Sequence, residues 1–359
     1  MLGLTITVSA SLVGSFGASY LSPQAFWPFW FLAASFPVLA CIVIVFQLYW
    51  LVVLRWPVLV PLVALIVCYT QLNRLVQFRL PEESIKTEKE ISFLSYNVHL
   101  FDWFNWKSPW QKRKQILEQI QTSHPDIICL QEYFHSPAKS FITLDSIISQ
   151  NGLKHFYFEK YSSKSSLTGL GMIVFSRWPI INKGKFNFEN TRGNSAIWAD
   201  ILKENDTIRV YNLHLESNRF RRADYTFIKD VNDGDTEIED SEGWKNIIRR
   251  LKKAANMRAN QADEVANHIV KSPYPVVVCG DFNDSPCTYT YNRVSSGLKD
   301  SFLEKGIGFG QTYIGIAPAF RIDYILHSSV FEATSYETHP EELSDHHAIS
   351  AVLKFSGKN

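Results

Sequence analysis

Residues 1–80 contain no aspartate or glutamate, and their only charged side chains are Arg55, Arg74 and Arg79. This lack of charge separates them from the rest of the chain. Residues 81–359 lack a different feature, an excess of basic residues: setting those three arginines aside leaves 33 of the 36 basic residues, against 35 acidic ones. Nucleic-acid-binding proteins usually show a basic surplus or stripe. The composition therefore counts against a dedicated nucleic-acid binder, but not against local phosphate binding.

Cysteine is scarce and irregularly placed. The five cysteines form no CxxC pair and have no regular spacing. Neither a zinc site nor a disulfide framework is indicated, and we expect buried free thiols.

Three apolar runs occupy the first part of the chain, at about 2–20, 29–54 and 56–72. Each meets or approaches the roughly 20 residues that a membrane-crossing helix needs, and tryptophans near the run ends suit a membrane interface. We predict that residues 1–80 are a membrane anchor of about three transmembrane helices. The alternative, a soluble helical hairpin, would have to bury about 80 nearly uncharged residues.

Positive charge after the third run predicts the orientation of this anchor. Arg74, Arg79, Lys86 and Lys89 follow the run, whereas Arg55 alone lies in the preceding loop. The positive-inside rule then predicts a multi-pass integral membrane protein whose large domain is cytosolic.

Residues 81–90 are charged and lack an apolar period, which is typical of a linker. Many short apolar segments follow, separated by few helical patterns. Strands are predicted at 91–98, 126–132, 171–177, 209–215, 276–279, 321–326 and 344–349, and helices at 110–122 and 257–270. This pattern indicates an α+β domain with a large β core, at 91–359.

The segment around Asp281 is the most informative one. Four apolar residues, 276–279, predict a buried strand that Gly280 ends, and Asp281, Asn283 and Asp284 follow at once. Charge that a buried strand places in this way is costly unless something compensates it. A metal ion or a phosphate group would do so.

Other predicted strands end in the same way. The polar residues at or just beyond strand ends are Asn97, Glu132, His214, Asp281, Asn283, Asp323, Asp345 and His346. Each has an ordinary explanation when taken singly, as a cap, a turn former or a core histidine. Together, their oxygens suit Mg²⁺ or Mn²⁺, and two histidines with carboxylate partners suit phosphate binding and acid–base catalysis.

Six short motifs follow one another along residues 95–346: Ser-Tyr-Asn-Val at 95–98, Leu-Gln-Glu at 130–132, Asn-Leu-His-Leu at 212–215, Gly-Asp-Phe-Asn at 280–283, Arg-Ile-Asp-Tyr at 321–324 and Ser-Asp-His at 344–346. Their order resembles that of the endonuclease/exonuclease/phosphatase (deoxyribonuclease I-like) superfamily. The resemblance covers roughly residues 90–355. It implies a four-layer α/β/β/α sandwich with the site at one edge.

The resemblance also implies a role for each site residue. Glu132 would be the principal ligand of Mg²⁺, with Mn²⁺ possible, and Asn97 and Asp345 would lie near the ion. Asp281 would orient or deprotonate the attacking water beside Asn283. His214 would bind the scissile phosphate, and Asp323 would pair with His346 to fix its tautomer and favour its charge. Tyr211 occupies the place of a phosphate-contacting tyrosine in abasic-site endonucleases.

The predicted function is therefore a membrane-anchored, metal-dependent phosphoesterase. Its substrate would be a phosphodiester or phosphomonoester, in a lipid head group or in a small soluble molecule, and the lipid bilayer would be its partner. The first alternative is an endonuclease or exonuclease acting on DNA or RNA. The second, a catalytically silent binding module, is disfavoured because the set of ligands and acid–base residues is complete.

The segment 216–256 has a character of its own. An acidic run from Asp230 to Glu242 predicts a loop next to the site entrance. Residues 244–253 then carry apolar residues opposite arginines and lysines. A basic amphipathic helix of this kind can lie on a lipid surface, but ordinary packing with a solvated basic face is the favoured interpretation.

Overall fold

The computed structural model describes residues 1–79, 90–102, 109–136, 143–161, 169–189, 191, 193–233, 241–315 and 321–356. The predicted linker at 81–90 lies, apart from Glu90, outside this part of the chain. The fold has two compact units. The helical unit comprises Met1–Leu72, Glu216–Asp263 and Pro286–Arg293, and the sandwich unit comprises Asn73–Leu215, Glu264–Ser285 and Val294–Asn359. The division at residues 80 and 90 stays a prediction.

The helices in the described residues are α1 (Leu2–Ala18), α2 (Pro28–Ala34), α3 (Phe36–Val53), α4 (Leu59–Val67), α5 (Tyr69–Leu75), α6 (Pro109–Thr122), α7 (Thr143–Asn151), α8 (Arg222–Asp233), α9 (Ser241–Val270), α10 (Tyr289–Val294) and α11 (Ser301–Lys305). A short 3₁₀ turn covers Trp56–Val58, and a turn with positive φ angles covers His99–Asp102.

The strands in the described residues are β1 (Glu90–Asn97), β2 (Ile127–His135), β3 (His155–Lys160), β4 (Gly169–Ser176), β5 (Ile180–Lys185), β6 (Ser195–Lys203), β7 (Asp206–His214), β8 (Val276–Asp281), β9 (Leu298–Asp300), β10 (Asp323–Ser328), β11 (Phe331–Thr338) and β12 (Ile349–Phe355). They form two sheets, in the orders β11-β12-β1-β2-β4-β3 and β5-β6-β7-β8-β10-β9. Both sheets are mixed, because β1 pairs in parallel with β2, and β7 with β8, among antiparallel neighbours.

The two sheets pack face to face around one apolar core. Phe93 and Cys129 of the first sheet share this core with Val210 and Val277 of the second, and all four side chains are buried. Strand side chains alternate between faces. The opposite face of the first sheet, which includes Leu94, Ile128 and Ile173, therefore packs on Ile116 and Ile120 of α6. The predicted α+β architecture of two packed sheets with helices outside is confirmed.

Gly280 allows β8 to approach β7 closely, so that the polar residues at the ends of these two strands lie side by side. Its φ is +136°, and a Cβ atom there would lie 2.1 Å from the carbonyl oxygen of Leu213. Only glycine fits this conformation and this approach. The register then places Asp281 directly opposite His214.

The prediction of three transmembrane helices is not supported. In the described residues, α3 alone is long and apolar enough to cross a membrane, and the count rises to two if the segments Trp56–Val67 and Tyr69–Leu75, bent by 67°, form one span. The run at 29–54 is divided because Pro37 lacks an N–H group and crowds the preceding turn, so α2 ends at Ala34. The run at 2–20 yields 17 helical residues.

The segment after β7 is more helical than predicted. The acidic run was expected to be a loop, but Asp230 and Asp233 lie in α8, and residues 234–240 lie outside the described part of the chain. The helical patterns at 244–253 and 257–270 form the single 30-residue helix α9. Ile247, Ala254 and Ala255 are buried on its apolar face, as amphipathic packing requires.

Candidate active site

Asp281 lies at the centre of a polar cluster in the sandwich unit. Three donors hold its carboxylate: the Asn283 backbone N–H at 2.7 Å, the Asn283 side-chain amide at 3.2 Å and the Asn97 amide at 3.1 Å. Asn283 also donates to the carbonyl of Leu215, and it adopts a left-handed φ of +52° that asparagine tolerates. The Asp281 carboxylate is thus fixed in one orientation.

Two histidines face this carboxylate: His214 at the end of β7 and His346 in the segment between β11 and β12. Nε2 of His214 lies 3.8 Å from Oδ2 of Asp281, and Nε2 of His346 lies 3.7 Å from the same atom. All three side chains are buried, with at most 5% of each exposed. Two imidazoles and one carboxylate therefore share a small desolvated volume.

Asp323 bonds the nitrogen of the His346 ring that does not face Asp281. Nδ1 of His346 donates to Oδ2 of Asp323 at 2.9 Å, and the backbone N–H of Asp323 donates to the hydroxyl of Thr312 at 3.1 Å. Burial opposes the charge on His346, but Asp323 and Asp281 outweigh burial and raise the pKa of His346 to about 10. His346 is therefore an imidazolium at neutral pH.

The other two groups of the cluster are shifted by burial. Desolvation raises the pKa of Asp281 to about 6, although His346 and His214 oppose this shift. Desolvation also lowers the pKa of His214, against the attraction of Asp281. Near pH 7 the cluster thus combines one imidazolium, one neutral imidazole and one carboxylate close to its titration range, which is the arrangement that acid–base chemistry uses.

The predicted metal ligands lie beside this cluster. Oε1 of Glu132 is 3.7 Å from Nε2 of His214. Burial raises the pKa of Glu132, the negative charge of Asp345 raises it further, and a hydrogen bond from Asn97 opposes the shift. Glu132 has a left-handed φ of +50°, the kind of backbone strain that collects at functional sites.

These oxygens fit a hard divalent cation. Glu132, Asn97 and Asp345 offer carboxylate and amide oxygens, as Mg²⁺ prefers, and the Glu132 carboxylate, which is 24% exposed against 42% for Asp345, gains more from a compensating charge. Asp281, Asp323 and His346 also have ligand atoms within 4.8 Å of one another. We favour the Glu132 group for the cation, because His346 already bonds Asp323 and carries a positive charge.

His99 is a site residue that the motif comparison missed. Its Nδ1 lies 3.8 Å from Oδ1 of Asp345, and about half of its side chain is exposed. It begins four consecutive residues, His99 to Asp102, with φ between +40° and +57°. L-residues pay roughly 1–2 kcal/mol each for that conformation, so a strained turn delivers this imidazole to the predicted metal ligands.

Tyr161 is a second residue that the motif comparison missed. Its hydroxyl lies 3.0 Å from Nδ1 of His214. Burial raises the pKa of Tyr161, and its oxygen also accepts a hydrogen bond from the backbone of Glu132. Tyr161 is therefore a protonated phenol that links the predicted phosphate-binding histidine to the strand segment of the predicted metal ligand.

Tyr211 is not brought to the cluster. It is fully buried, and its hydroxyl lies 2.7 Å from Nδ1 of His268 on α9. Alternation along β7 points Asn212 and His214 to one face and Tyr211 to the other. The side chain of Asn212 instead accepts a hydrogen bond from Gln131 of β2 at 2.7 Å, which joins the two sheets behind the site.

The fold and this cluster together define a class: a two-sheet sandwich whose strand ends carry a buried Asp/His group beside carboxylate and amide oxygens. The family model described as Endonuclease/Exonuclease/phosphatase family matches residues 94–346. The chain belongs to this family. Its members are generally phosphoester hydrolases that depend on divalent metals, typically Mg²⁺. A second model, described as a domain of unknown function, matches residues 1–75.

Solved structures show the same fold at low sequence identity. A Bacteroides thetaiotaomicron endonuclease/exonuclease/phosphatase family protein has 16% identity and a TM-score of 0.53, with coverage of 75% of this chain and 98% of that one. A Beutenbergia cavernae endonuclease/exonuclease/phosphatase has 17% identity and a TM-score of 0.52, covering 75% and 72%. Humanized D. rerio TDP2 has 15% identity and a TM-score of 0.52, covering 74% and 100%. No curated protein matches the chain.

Proposed function

We propose that this protein is a membrane-attached, divalent-metal-dependent phosphoesterase that hydrolyses a phosphodiester or phosphomonoester by in-line attack of water. The observation that carries the proposal is the Asp281 carboxylate, held by Asn97 and Asn283 and placed under 4 Å from two imidazoles of different charge. A structural ion pair has no need of this asymmetry, whereas a water-activating base beside a phosphate site does.

Asp281 is the base in this mechanism. It accepts the proton of the attacking water as the water oxygen bonds to phosphorus and the leaving oxygen departs. Asn97 and Asn283 fix the carboxylate orientation, so that the water lies in line with the bond that breaks. A pKa near 6 leaves Asp281 ionised at neutral pH while keeping it basic enough to take a proton.

The two histidines act on the phosphate. His346, kept charged by Asp323, stabilises the negative charge that develops on the phosphoryl oxygens in the transition state. His214 is neutral and donates a hydrogen bond to a phosphoryl oxygen. Glu132, Asn97 and Asp345 would hold the divalent cation, which would supply further compensation of phosphate charge.

The outer surface of the helical unit supports membrane attachment. Large apolar side chains lie exposed along its helices: Val38, Val45, Leu48, Val52 and Ile66 each have more than half of their surface exposed. Apolar residues exposed along a helix as hydrophobic as α3 match a lipid environment better than water.

The inside of the helical unit supports the same location. Thr5, Ser9 and Ser15 of α1 are buried, as are Ala40 of α3 and Ala64 of α4. Small and weakly polar residues inside, with large apolar residues outside, are typical of helices packed in membranes. The proposal thus keeps residues 1–80 as the anchor and 91–359 as the catalytic part, although 216–263 and 286–293 cluster with the anchor helices.

The test is hydrolysis by the purified full-length protein in detergent, with Mg²⁺, with Mn²⁺ or with EDTA. Substrates are bis-p-nitrophenyl phosphate, p-nitrophenyl phosphate, plasmid DNA, RNA and phospholipid vesicles. We expect turnover that EDTA abolishes and either cation restores. The preferred substrate then separates a lipid or small-molecule phosphoesterase from a nuclease. Absence of turnover on every substrate, together with no calorimetric binding of Mg²⁺ or Mn²⁺, would overturn the proposal.

Tyr161→Phe should lower kcat/KM by about ten- to a hundredfold, the usual cost of losing a partner that orients a functional histidine. Because the Tyr161 oxygen accepts from Glu132, its own proton can bond to Nδ1 of His214, which leaves the His214 proton on Nε2, the atom facing Glu132 and Asp281. Phenylalanine keeps the ring and removes this constraint.

The matched control for this variant is Tyr157→Phe on β3. The Tyr157 hydroxyl donates to Glu159 at 3.0 Å, away from the cluster. Equal kcat/KM values for Tyr161→Phe and wild type would show that His214 needs no such partner.

A further inference from the structure

The helices of the helical unit have two distinguishable ends. At one end, which we call the far end, the indole N–H of Trp50 near the end of α3 donates to Thr5 near the start of α1. The opposite, near end holds the end of α1 at Ser19, the connection 19–27 that leads to α2, and Gln71 in α5. If α3 crosses a membrane, these two ends lie at opposite surfaces.

The inserted segments of this unit all contact the near end. The amide of Asn292 donates to the backbone carbonyl of Ser19 at 2.9 Å, and the amide of Gln71 donates to the carbonyl of Cys287 at 3.1 Å. The amide of Gln24 donates to the side chain of Asn260 on α9. The contact of Asn260 therefore fixes the middle part of α9 beside the near ends of the apolar helices.

Aromatic side chains of the near end lie against cations of α9. Nζ of Lys252 lies 5.2 Å from the centre of the Trp27 ring, and the guanidinium of Arg258 lies 5.6 Å from that of Trp30. Tryptophan is enriched at the level of lipid head groups, with lysine and arginine beside it. These contacts place α9 at the head-group level of the proposed anchor.

The exposed cations of α9 lie on the face that contacts this end. Arg249, Lys252 and Lys253 are exposed and follow helical spacing with Asn260, the residue that contacts Gln24. Two further cations of α9 pair with carboxylates, Arg250 with Asp224 and Lys245 with Glu242. Arg249, Lys252 and Lys253 form what we call the basic stripe; Arg249 also donates to the amide of Asn246 at 3.1 Å.

We propose that the basic stripe of Arg249, Lys252 and Lys253 binds the phosphates of anionic phospholipids in the leaflet that surrounds the near end. The inference deepens the proposed function, since it rests on membrane attachment through the helical unit. An anionic leaflet suits the stripe because the stripe has positive charge and belongs to a helix that contacts Trp27 and Trp30 at the near end of the apolar helices. It also places the near end on the cytoplasmic side, where anionic lipids concentrate.

The experiment compares lipid binding by the full-length protein and a charge-removed variant. Each is purified in a neutral, sugar-headed detergent and titrated with dioleoylphosphatidylglycerol or dioleoylphosphatidylcholine, and bound lipid is measured by native mass spectrometry. A basic side chain near an anionic lipid surface contributes about fivefold to binding. We expect Arg249→Gln/Lys252→Gln/Lys253→Gln to lower the preference for phosphatidylglycerol by at least about tenfold.

The matched control removes three exposed lysines of the sandwich unit, as Lys114→Gln/Lys183→Gln/Lys354→Gln, and should retain the preference. Equal preferences in the stripe variant and wild type would overturn the inference. Extraction of native membranes with alkaline carbonate separates this failure from that of the proposed function. A chain that carbonate releases would refute membrane attachment and the basic stripe together, whereas a retained chain with an unchanged preference refutes the stripe alone.

Discussion

Asp281→Asn should reduce turnover by a factor of about 10² to 10⁴, the usual contribution of a general base, while the protein stays folded. Asparagine keeps the shape of the side chain and can still accept from the backbone N–H of Asn283. It cannot take a proton from water. The loss should therefore appear in kcat rather than in KM, measured at saturating Mg²⁺.

Asp281→Asn should not lower stability as it lowers turnover. Burial raises the pKa of Asp281 from 3.8 to about 6, so the folded state disfavours the ionised carboxylate. Ionisation of Asp281 therefore lowers the free energy of unfolding progressively as pH rises from 4 to 6, and the full cost, on the order of a few kcal/mol, is present above pH 6. In EDTA at pH 7.5, the removal of this cost should offset the loss of the two hydrogen bonds that the Asn97 and Asn283 amides donate to Oδ2, so Asp281→Asn should unfold close to the wild-type temperature, as followed by near-ultraviolet circular dichroism.

Asp126→Asn is the mirror-image control. Asp126 is also buried, but it pairs with Arg177 at 2.7 Å and accepts a hydrogen bond from the backbone of Ser92 at 3.0 Å. These residues lie outside the motifs that carry the predicted site residues. It should lose stability and keep kcat. A melting temperature for Asp281→Asn that falls as far as that of Asp126→Asn would show that Asp281 is a structural group instead.

The arrangement of the cluster could be predicted where local sequence decides it or where the family resemblance supplies a pairing. Gly280 and the valines before it signal a buried strand that stops abruptly, and this suffices to place Asp281 and Asn283 at a strand end. The pairing of His346 with Asp323 followed from the family resemblance, and the two side chains do lie 2.9 Å apart. Tyr161 could not be found in this way, because 53 residues separate it from His214 and its position depends on the β3–β4 pairing.

Strand alternation alone decides the face of β7 on which Tyr211 lies. Strand alternation already put it on the face away from His214, yet one matching residue in a related group of enzymes suggested phosphate contact. The structure buries it against His268. Alternation holds along every strand, whereas the phosphate contact of Tyr211 rests on one matching residue and stays a prediction.

The predicted membrane anchor illustrates what composition leaves out. Mean hydropathy over a window registers apolar residues, but it does not register that Pro37 ends one helix and begins another, or that the chain bends after Val67. Nor could it reveal that 216–263 and 286–293 cluster with residues 1–72, because contacts such as that of Asn292 with Ser19 join residues 273 positions apart.

Asp323→Asn should move the alkaline limit of activity downward. In the wild type, Asp323 and Asp281 hold the pKa of His346 near 10, so the imidazolium persists, and activity should stay level, up to about pH 9. Removing a carboxylate 2.9 Å away typically lowers a histidine pKa by about 1 to 3 units. Activity of the variant should then decline with rising pH from about pH 7 to 8, because His346 must be charged to stabilise the transition state.

The sign for stability is the same. A histidine whose folded pKa lies above its unfolded value of about 6.5 stabilises the fold fully below that value, and the stabilisation is lost as pH rises through the folded pKa. Wild-type stability should therefore fall between pH 7 and 10. In Asp323→Asn, most of the stabilisation contributed by charged His346 should be lost at a lower pH. The measurements are kcat/KM and melting temperature at half-unit steps from pH 6 to 9.5.

Asp200→Asn separates this effect from the general loss of a buried ion pair. Asp200 on β6 accepts two hydrogen bonds, of 2.6 and 2.8 Å, from the guanidinium of Arg209 on β7. Arg209 precedes His214, the last residue of β7. Its removal should lower stability without moving the alkaline limit, because arginine stays charged throughout this range. An alkaline limit that coincides in wild type, Asp200→Asn and Asp323→Asn would show that the rate does not depend on the charge of His346, and the phosphate-stabilising role would then pass to another group.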